Sequence, residues 1–454
     1  MEDISKYCSE LGLIRYRVLV EARYLQAFAR RLKGQVNIGA DDIKFLNRLA
    51  RGFGYKEALE VKAHEARVSH DVVAVVEYLK ERSRKEGHED LVPFIHFGLT
   101  SDDVNNLAYS LMLRDAMLKV YIPSLLSLCR ALASKAAEFK HTSMLGHTHG
   151  QPASPTTLGK ELANYLVRLA RLALLLSKSE YPGKVTGAVG NFNALHLAYP
   201  QVDWIDFSRS FVSGLGLRPE VFTTQILPHD DVGRILQAIS LADRIIQNLD
   251  VDIWLYCCLG YLKVRKDPGR VGSSTMPHKV NPVDFENSEG NAKFGASLLD
   301  SLCADLQISR MQRDLSDTPI KRNYGMALAY SLLAAKRTRE GLLQLDVDAV
   351  AIRRDLVEHS EVLSEALQHS LRKAGREEAF EEALGLLKGR SLDLKGFRRA
   401  IEESPFAVDA APVLKLDPSE YVGLAPELVD LAIEEAKRDL SKVGGHVKGR
   451  TQRH

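Results

Sequence analysis

Apolar residues recur at spacings of three and four along most of the chain, which is the pattern of amphipathic α-helices. Residues 234–259 contain neither glycine nor proline and keep this pattern throughout. At 1.5 Å per residue, the segment predicts a helix about 39 Å long. Because β-branched alternation is scarce, the sequence predicts an all-α protein with a bundle of long central helices. Other long helices are predicted over residues 104–139, with a kink or interruption at Pro123, and over residues 156–179, 288–308 and 326–344.

A chain of 454 residues is too long for one ordinary hydrophobic core. We predict three helical domains: an N-terminal domain over residues 1–103, the central bundle over 104–345 and a C-terminal domain over 346–454. The last of these ends in a basic, glycine-containing tail, residues 442–454, for which we predict disorder. A nucleic-acid-binding arm is the alternative for that tail.

Residues 251–262 are apolar around most of the predicted helix circumference. A helix buried on all sides needs more neighbours than one small domain supplies. This pattern favours a homo-oligomer whose bundles pack together, and a large monomeric bundle is the alternative.

The chain carries 61 Lys and Arg against 59 Asp and Glu, a net charge of +2. This balance gives no argument for a nucleic-acid or membrane partner, but it permits a small anionic substrate. Five cysteines without a CxxC motif indicate a reduced, cytoplasmic protein. The polar first residues contain no signal peptide, and the longest apolar run, residues 253–262, is too short to span a bilayer.

Residues 272–282 read GSSTMPHKVNP and form the most informative segment of the sequence. Two prolines prevent a continuous helix, so this segment is predicted to be a loop. It combines hydroxyl groups, the Lys279 cation and the Asn281 amide within a few residues. Such a set suits a reaction that builds negative charge on a carboxylate. A polar surface loop is the alternative.

His149 lies in a predicted turn between Gly146 and Pro152. A histidine there can donate or accept a proton near neutral pH, and a turn histidine bonded to the backbone is the alternative. His147 and His149 could together suggest a metal ion, but no third ligand has convincing spacing, so we predict no metal site.

Three further segments carry candidate binding groups. Residues 100–103 read Thr-Ser-Asp-Asp before a predicted helix, and such a start can be a helix cap, a carboxylate-binding site, or both. Residues 69–71 read Ser-His-Asp and open another helix, where a histidine is usually a cap or a surface residue. Residues 313–322 place two arginines around hydroxyl groups, which suits a phosphate, and a solvated loop is equally compatible.

Residues 272–282 resemble the signature G-S-S-x-M-P-x-K-x-N-P of the fumarase/aspartase superfamily. Residues 283–290 and 312–317 resemble the adenylosuccinate lyase family within it, and the resemblance extends from about residue 8 to residue 437. It implies three helical domains, a homotetramer with active sites shared between chains, and no metal or organic cofactor. The implied reaction is β-elimination of fumarate from adenylosuccinate, giving AMP, and from succinyl-aminoimidazole-carboxamide ribotide in purine biosynthesis.

The resemblance also implies roles for particular residues. Ser273 would be the general base that removes the Cβ proton, and Lys279 and Asn281 would hold the carboxylate that becomes charged. His149 would protonate the departing nitrogen, and Glu286 would orient its ring. The other implied site residues are His70, which would position the substrate, and the substrate-binding residues Ser69, Asp71, Thr100, Ser101, Gln225, Thr275, Asn287, Arg313, Thr318 and Arg322.

Two other functions stay open at this point. One is another fumarate-releasing lyase of the superfamily, such as argininosuccinate lyase or class II fumarase. Residues 313–322 argue against both, because neither substrate carries a phosphate. The other is a helical scaffold that has lost the chemistry, against which the presence of Ser273, Lys279 and His149 argues.

Overall fold

The computed structural model describes residues 2–265, 276 and 279–451, without the side chains of residues 448–451. Ser273 and Thr275, which we predicted to act in the signature loop, lie outside the described residues.

Five α-helices and a 3₁₀ helix precede the bundle. Ser9 caps the second helix, since its side-chain oxygen accepts a hydrogen bond of 3.1 Å from the backbone N–H of Gly12. That helix buries residues toward both the N-terminal cluster of helices and the bundle. The helices are α1 (Glu2–Cys8), α2 (Glu10–Arg31), α3 (Ala40–Gly52), α4 (Tyr55–Val68) and α5 (Asp71–Lys85), followed by the 3₁₀ helix Glu89–Phe94.

The central part of the chain confirms the predicted all-α fold. Each predicted long helix is present, with ends shifted by a few residues because caps and tertiary contacts set them. The α-helices of this part are α6 (Ser101–Ala116), α7 (Ile122–Glu138), α8 (Leu158–Lys178), α9 (Asn193–Ala198), α10 (Trp204–Gly214), α11 (Asp230–Cys258), α12 (Val283–Leu306), α13 (Asp317–Lys321) and α14 (Tyr324–Gln344).

The interruption predicted at Pro123 takes the form of a π turn, Met117–Tyr121, between α6 and α7. Proline has no N–H to donate to the preceding turn, and the wider turn accommodates this while the helix continues. Ser101–Glu138 is the one described stretch long and apolar enough to cross a membrane, and its most apolar window is 56% buried. Burial to this extent is typical of a helix in the core of a bundle.

Within the described residues, three two-stranded sheets complete the bundle. The turn predicted between Gly146 and Pro152 is present, but it belongs to a β-hairpin whose two strands the sequence analysis did not predict. The hairpin forms because its two strands pair across a tight turn. The strands are too short to show the repeating hydrophobic pattern by which long helices are predicted from sequence. The strands pair as β1 (Ser143–Thr148) antiparallel to β2 (Gln151–Thr157), β3 (Pro182–Gly183) parallel to β4 (Arg218–Pro219), and β5 (Leu262–Val264) antiparallel to β6 (Leu345–Val347).

The C-terminal part corrects the prediction of a disordered tail, since its last helix continues through Thr451. The helix packs along α8, where Val443 is fully buried and the His446 ring lies 3.1 Å from the Ser177 hydroxyl. The apolar contact with α8 therefore stabilises the helix more than the glycines of the segment destabilise it. The helices here are α15 (Ala349–Glu358), α16 (Ser364–Lys373), α17 (Ala379–Leu387), α18 (Leu394–Glu402), α19 (Ala411–Leu414) and α20 (Ala425–Thr451), with 3₁₀ helices Ser360–Leu363 and Pro418–Glu420.

Buried apolar residues form three clusters: the bundle core, an N-terminal cluster on α2 to α5 and a C-terminal cluster on α16 to α19. The bundle core also takes residues from α2 and α20, which lie in the predicted outer domains. The domain boundaries at residues 103/104 and 345/346 stay a prediction. All five cysteines are free thiols.

Two buried carboxyl groups form polar layers inside the bundle. Asp243 accepts a hydrogen bond of 2.5 Å from Ser331, and Asp250 accepts one of 2.8 Å from Thr338. The two aspartates are two turns apart on α11 and their partners two turns apart on α14, so both layers share one register. Each aspartate has a second oxygen that finds no hydrogen-bond partner in the described part of the chain. Burial raises the pKa of both carboxyl groups well above the ordinary value.

We expect the Asp250→Asn variant to gain stability relative to the wild type as the pH rises. The folded pKa of Asp250 is raised, so its contribution is present below its unfolded pKa of 3.8 and is lost as the pH rises through the folded pKa. An asparagine keeps an acceptor for Thr338 and has no charge to bury. The check is the thermal midpoint of both proteins at about pH 5 and about pH 8. A variant whose relative stability falls with pH would contradict this expectation.

Candidate active site

The first group of candidate residues lies around the start of α6, and we call this region the Thr100 end of the bundle (residues 69–71, 98–103, 225–230 and 309–322). Thr100 is the N-cap residue, and its backbone N–H donates to Asp103 at 2.9 Å. Asp103 also pairs with Lys184 at 2.9 Å, and both side chains are fully buried. Ser101 starts the helix and is half-buried. The helix cap predicted from sequence is therefore present, whereas Asp102 and Asp103 in the first turn are buried, and the carboxylate-binding role of this segment stays a prediction.

Gln225 reaches the same end from the loop before α11. Its backbone N–H donates to the carbonyl of Gln312 at 3.2 Å, and its side chain donates to the carbonyl of Ala188 at 2.9 Å. These bonds place Gln225 beside residues 309–316.

A charged cluster attaches the loop after α12 to the start of α6. Arg313 donates to Asp102 at 3.1 Å and to Asp317 at 3.4 Å, and its side chain is only 17% exposed. Lys321 pairs with Asp317 at 2.6 Å, and the His229 ring lies 3.8 Å from the same carboxylate. Burial by itself would raise the pKa of Asp317, but His229, Lys321 and Arg313 together hold this pKa well below its ordinary value. The cluster is therefore charged, and it fixes α13 against α6.

Thr318 belongs to the same cluster. Its hydroxyl oxygen lies 3.5 Å from a guanidinium nitrogen of Arg313 and donates to Asp317 at 3.3 Å. The hydroxyl thus lies beside the guanidinium group of Arg313.

His70 and Asp71 form the start of α5. The His70 Nδ1 accepts a hydrogen bond of 3.3 Å from the backbone N–H of Val73, so the neutral ring carries its proton on Nε2. The His70 side chain is 47% exposed. Ser69, in the left-handed region at φ +52°, ends α4 immediately before it and is exposed. This arrangement presents the Nε2–H of His70 as an outward donor.

Asp71 joins the α5 start to two arginines from elsewhere in the chain. It accepts from Arg17 at 2.6 Å and from Arg322 at 3.4 Å. Burial would raise the pKa of Asp71, but the charge and hydrogen bond of Arg17 hold it below the ordinary value. Arg322 remains 51% exposed, in contrast to Arg313. Arg322 is therefore the more accessible of the two cations for an anionic ligand.

A pocket of about 270 Å³ opens beside this contact and is lined by Arg17, Asp71, Tyr109, Lys321 and Arg322, among other residues. Our sequence analysis missed Arg17, whose side chain also donates to Asn105 at 2.8 Å. Asp71 lies 54 residues away from Arg17, so no local motif could have identified the pair. An arginine inside an otherwise apolar helix face was the only available signal.

The second group of candidates lies at the opposite end of the bundle, which we call the His149 end (residues 143–157, 254–264 and 279–287). His149 and Gly150 form the two-residue turn of the β1–β2 hairpin, with φ of +54° and +74°. Positive φ at both positions is typical of a type I′ turn. The His149 side chain is exposed in the single chain. The ring of His147 lies 6.3 Å from that of Tyr261, which places the hairpin beside the end of α11.

Residues of α12 and its approach complete the His149 end. Lys279 is exposed and Asn281 is half-buried, just before α12 begins. Glu286, in the first turn, accepts a hydrogen bond of 3.1 Å from the indole of Trp254. Asn287 follows it and accepts from Asn291.

The implied bond from Glu286 to His149 does not form within one chain, as far as the described residues show. Both side chains are exposed at the same end of the bundle.

The two groups of candidates are far apart. The Glu286 position lies twenty residues before the end of α12 at Leu306, which corresponds to about 30 Å along the helix. Arg313 follows that end. One chain therefore does not bring the His149 end and the Thr100 end together. The Thr100 end contains Ser69, His70, Asp71, Thr100, Ser101, Gln225, Arg313, Thr318 and Arg322, and the His149 end contains His149, Lys279, Asn281, Glu286 and Asn287.

Comparison with known proteins gives the family. A model of the family described as "Lyase" matches residues 8–293, and a model described as "Adenylosuccinate lyase C-terminal" matches residues 309–422. The chain belongs to the adenylosuccinate lyase family. Adenylosuccinate lyase of Legionella pneumophila is 40% identical over 430 residues, 94% of each chain. That of Escherichia coli is 38% identical over 426 residues, 93% of each.

A solved structure supports the same fold. The 3-carboxy-cis,cis-muconate lactonizing enzyme of Pseudomonas putida superposes with a TM-score of 0.81 at 23% identity, covering 97% of this chain and 98% of that one. The predicted membership of the adenylosuccinate lyase family and the predicted fumarase/aspartase-like fold are therefore confirmed, and the chain is a lyase.

Proposed function

We propose that this lyase releases fumarate from adenylosuccinate, giving AMP, and from succinyl-aminoimidazole-carboxamide ribotide, giving aminoimidazole-carboxamide ribotide. Both reactions belong to purine biosynthesis, and we place the protein in the cytoplasm. Membership of the adenylosuccinate lyase family over nearly the whole chain is the observation that carries this proposal.

Substrate binding is proposed at the Thr100 end. The pocket beside Arg17 and Asp71 has a cation, Arg322, that is half-exposed and held by one long hydrogen bond among the described residues. We assign the phosphate of the nucleotide mainly to Arg322, with the Thr318 hydroxyl as a second contact. Arg313 already forms ion pairs with the buried carboxylates of Asp102 and Asp317, so we propose that its role is to hold α13 in place. Thr100, Ser101 and Gln225 would contact the succinyl group, with His70, Ser69 and Asp71 positioning the substrate.

Catalytic chemistry is proposed at the His149 end and in the adjoining signature loop. Ser273 would remove the proton from Cβ, while Lys279, Asn281 and Thr275 would stabilise the developing negative charge on the carboxylate. His149 would donate a proton to the departing nitrogen, which breaks the carbon–nitrogen bond, and Asn287 would contact the substrate. Glu286 would orient His149 from a neighbouring chain.

We propose a homotetramer with shared active sites, and two features of the single chain support an assembly of several copies. The Thr100 end and the His149 end are about 30 Å apart, so a complete site requires more than one copy. The outer faces of α11 and α12 also expose large apolar side chains that a second copy would cover. These are Leu241, Trp254, Leu255, Leu259, Val283 and Phe294.

The proposed reaction is tested by following the ultraviolet absorbance of the purified protein with adenylosuccinate, with argininosuccinate and malate as controls. Formation of AMP and fumarate from adenylosuccinate alone is the expected result. Cleavage of a control substrate instead would assign the chain to another fumarate-releasing reaction. No turnover of any of the three would favour the scaffold alternative.

The C-terminal part holds the hairpin that carries His149. Glu365 on α16 accepts a hydrogen bond of 2.7 Å from Ser154 on β2 and one of 3.1 Å from Tyr421. The hydrogen bond from Ser154 lowers the pKa of Glu365, and the one from Tyr421 lowers it further. Partial burial acts in the opposite direction, but the pKa stays below its ordinary value, so Glu365 is charged.

We expect Glu365→Ala to lower kcat by about tenfold while KM changes less, because a displaced hairpin misplaces the proposed acid and not the substrate pocket. Glu402→Ala is the matched control, since Glu402 is exposed and makes no hydrogen bond or ion pair with described residues. Steady-state kinetics of both variants provide the check. An unchanged kcat for Glu365→Ala would remove it as a positioning residue.

A further inference from the structure

A groove of about 640 Å³ lies outside the candidate active site, between α1, the π turn with the start of α7, and the second half of α14. It shares no lining residue with the pocket at the Thr100 end. Along α14, Lys336 in the groove lies twelve residues after Tyr324, about 18 Å from the Thr100 end. The groove is therefore a separate feature of the bundle.

Positive charge dominates the groove. It is lined by four cations, Lys6, Lys119, Lys336 and Arg339, and by two carboxylates. The carboxylates are already paired: Asp3 with Lys336 at 3.1 Å, and Glu340 with Arg337, just outside the groove, at 2.9 Å.

Lys119 pairs with Asp115 at 2.9 Å, but Asp115 is shared. The same carboxylate also pairs with Arg114 at 2.9 Å and accepts from the Tyr16 hydroxyl at 3.0 Å. The negative charge of Asp115 is thus divided between two cations, and the groove keeps an excess of positive charge.

Several donors in the groove have no acceptor among the described residues. The Arg339 guanidinium makes no ion pair or hydrogen bond, and the Lys6 ammonium makes only a cation–π contact, 5.8 Å from the ring of Tyr7. The half-buried hydroxyls of Ser124 and Ser127 also lack a hydrogen-bond partner within the described chain. Two cations and two hydroxyls that face one cavity without acceptors form the donor set that a phosphate group uses.

We propose that this groove, lined by Lys6, Ser124, Ser127 and Arg339, binds a doubly charged phosphate group, free or carried by a small phosphomonoester. Lys119 and Lys336 contribute charge from its two sides. Arg339 supplies planar paired donors, which suit phosphate oxygens, and the serine hydroxyls donate to the remaining oxygens. The cavity volume leaves room for a substituent on the phosphate.

The test uses isothermal titration calorimetry of the full chain with inorganic phosphate, at an ionic strength held constant with chloride. All proteins carry Arg322→Gln, which removes the proposed phosphate ligand of the active site. In this background, Lys6→Gln combined with Arg339→Gln is compared with Arg372→Gln combined with Lys373→Gln. The control pair removes the same two charges from an exposed helix end, where neither side chain has a partner in the described structure.

We expect phosphate to bind the Arg322→Gln protein and the control, and to bind the Lys6/Arg339 variant at least about tenfold more weakly. A parallel titration with glycerol 2-phosphate distinguishes the two sources: equal binding indicates a phosphomonoester site, and binding of inorganic phosphate alone indicates a free-phosphate site. No phosphate binding to the Arg322→Gln protein, or equal binding by the Lys6/Arg339 variant and the control, would overturn the proposal.

Discussion

Mixing the His70→Ala variant with the His149→Ala variant is expected to restore activity that neither variant has alone. Each change should lower turnover by about a hundredfold or more, since each removes a group from the proposed active site. In the mixture, a site that draws His70 from one chain and His149 from another can have both wild-type groups. With random mixing, each group is intact in half of the sites, so about one quarter of the wild-type activity should return.

The structure offers a strict control for this experiment. His70 and Arg322 both contact Asp71 within one chain, at 3.6 Å and 3.4 Å. A mixture of His70→Ala with Arg322→Gln can therefore never assemble both wild-type groups at one site, and its activity should stay at the level of the variants. The proteins are refolded together from denaturant, and light scattering verifies their assembly. Equal recovery in both mixtures, or none in either, would contradict the sharing of sites between opposite ends of the bundle.

Ser273→Ala is expected to abolish turnover while adenylosuccinate still binds. The proposed base acts only in the transition state, so its loss lowers kcat far more than it weakens binding of the ground state. We expect kcat to fall by at least about a thousandfold. Single-turnover assays measure the loss, and calorimetry with adenylosuccinate measures the retained affinity.

The neighbouring serine supplies the matched control. Ser274→Ala removes the same hydroxyl group one residue further along the chain, and we expect it to keep more activity than Ser273→Ala. If Ser273→Ala turns over at the wild-type rate, Ser273 is not the base. If Ser274→Ala is the inactive variant instead, the assignment moves by one position.

Much of the secondary structure could be predicted from residues that are close together in the sequence. The long helices follow from a period of 3.6 residues that repeats over twenty or more positions, so caps and packing shift only their ends. The cap at Thr100 was visible because its groups are neighbours in sequence. The β1–β2 hairpin and the ordered end of α20 were missed, because the first depends on one tight turn and the second on apolar contact with α8.

The candidate site shows the same division. Residue identities alone indicated a base, an acid and cations for a phosphate, because each role needs a particular functional group. The contact of Arg17 with Asp71 and the ion pair of Arg313 with Asp102 could not be predicted. The partners of these two pairs are 54 and 211 residues apart in the sequence. Contacts at such separations depend on how the helices pack, which no local pattern encodes.

By itself, the sequence determined that the chain is helical, that it resembles the adenylosuccinate lyase family, and which functional groups it offers for elimination. Only the tertiary structure decided where these groups lie. The helices of the bundle are long and rigid, and the candidate groups are attached to their ends. The distance between the Thr100 end and the His149 end is thus set by helix length, about 30 Å along α12, and no loop among the described residues of one chain closes it.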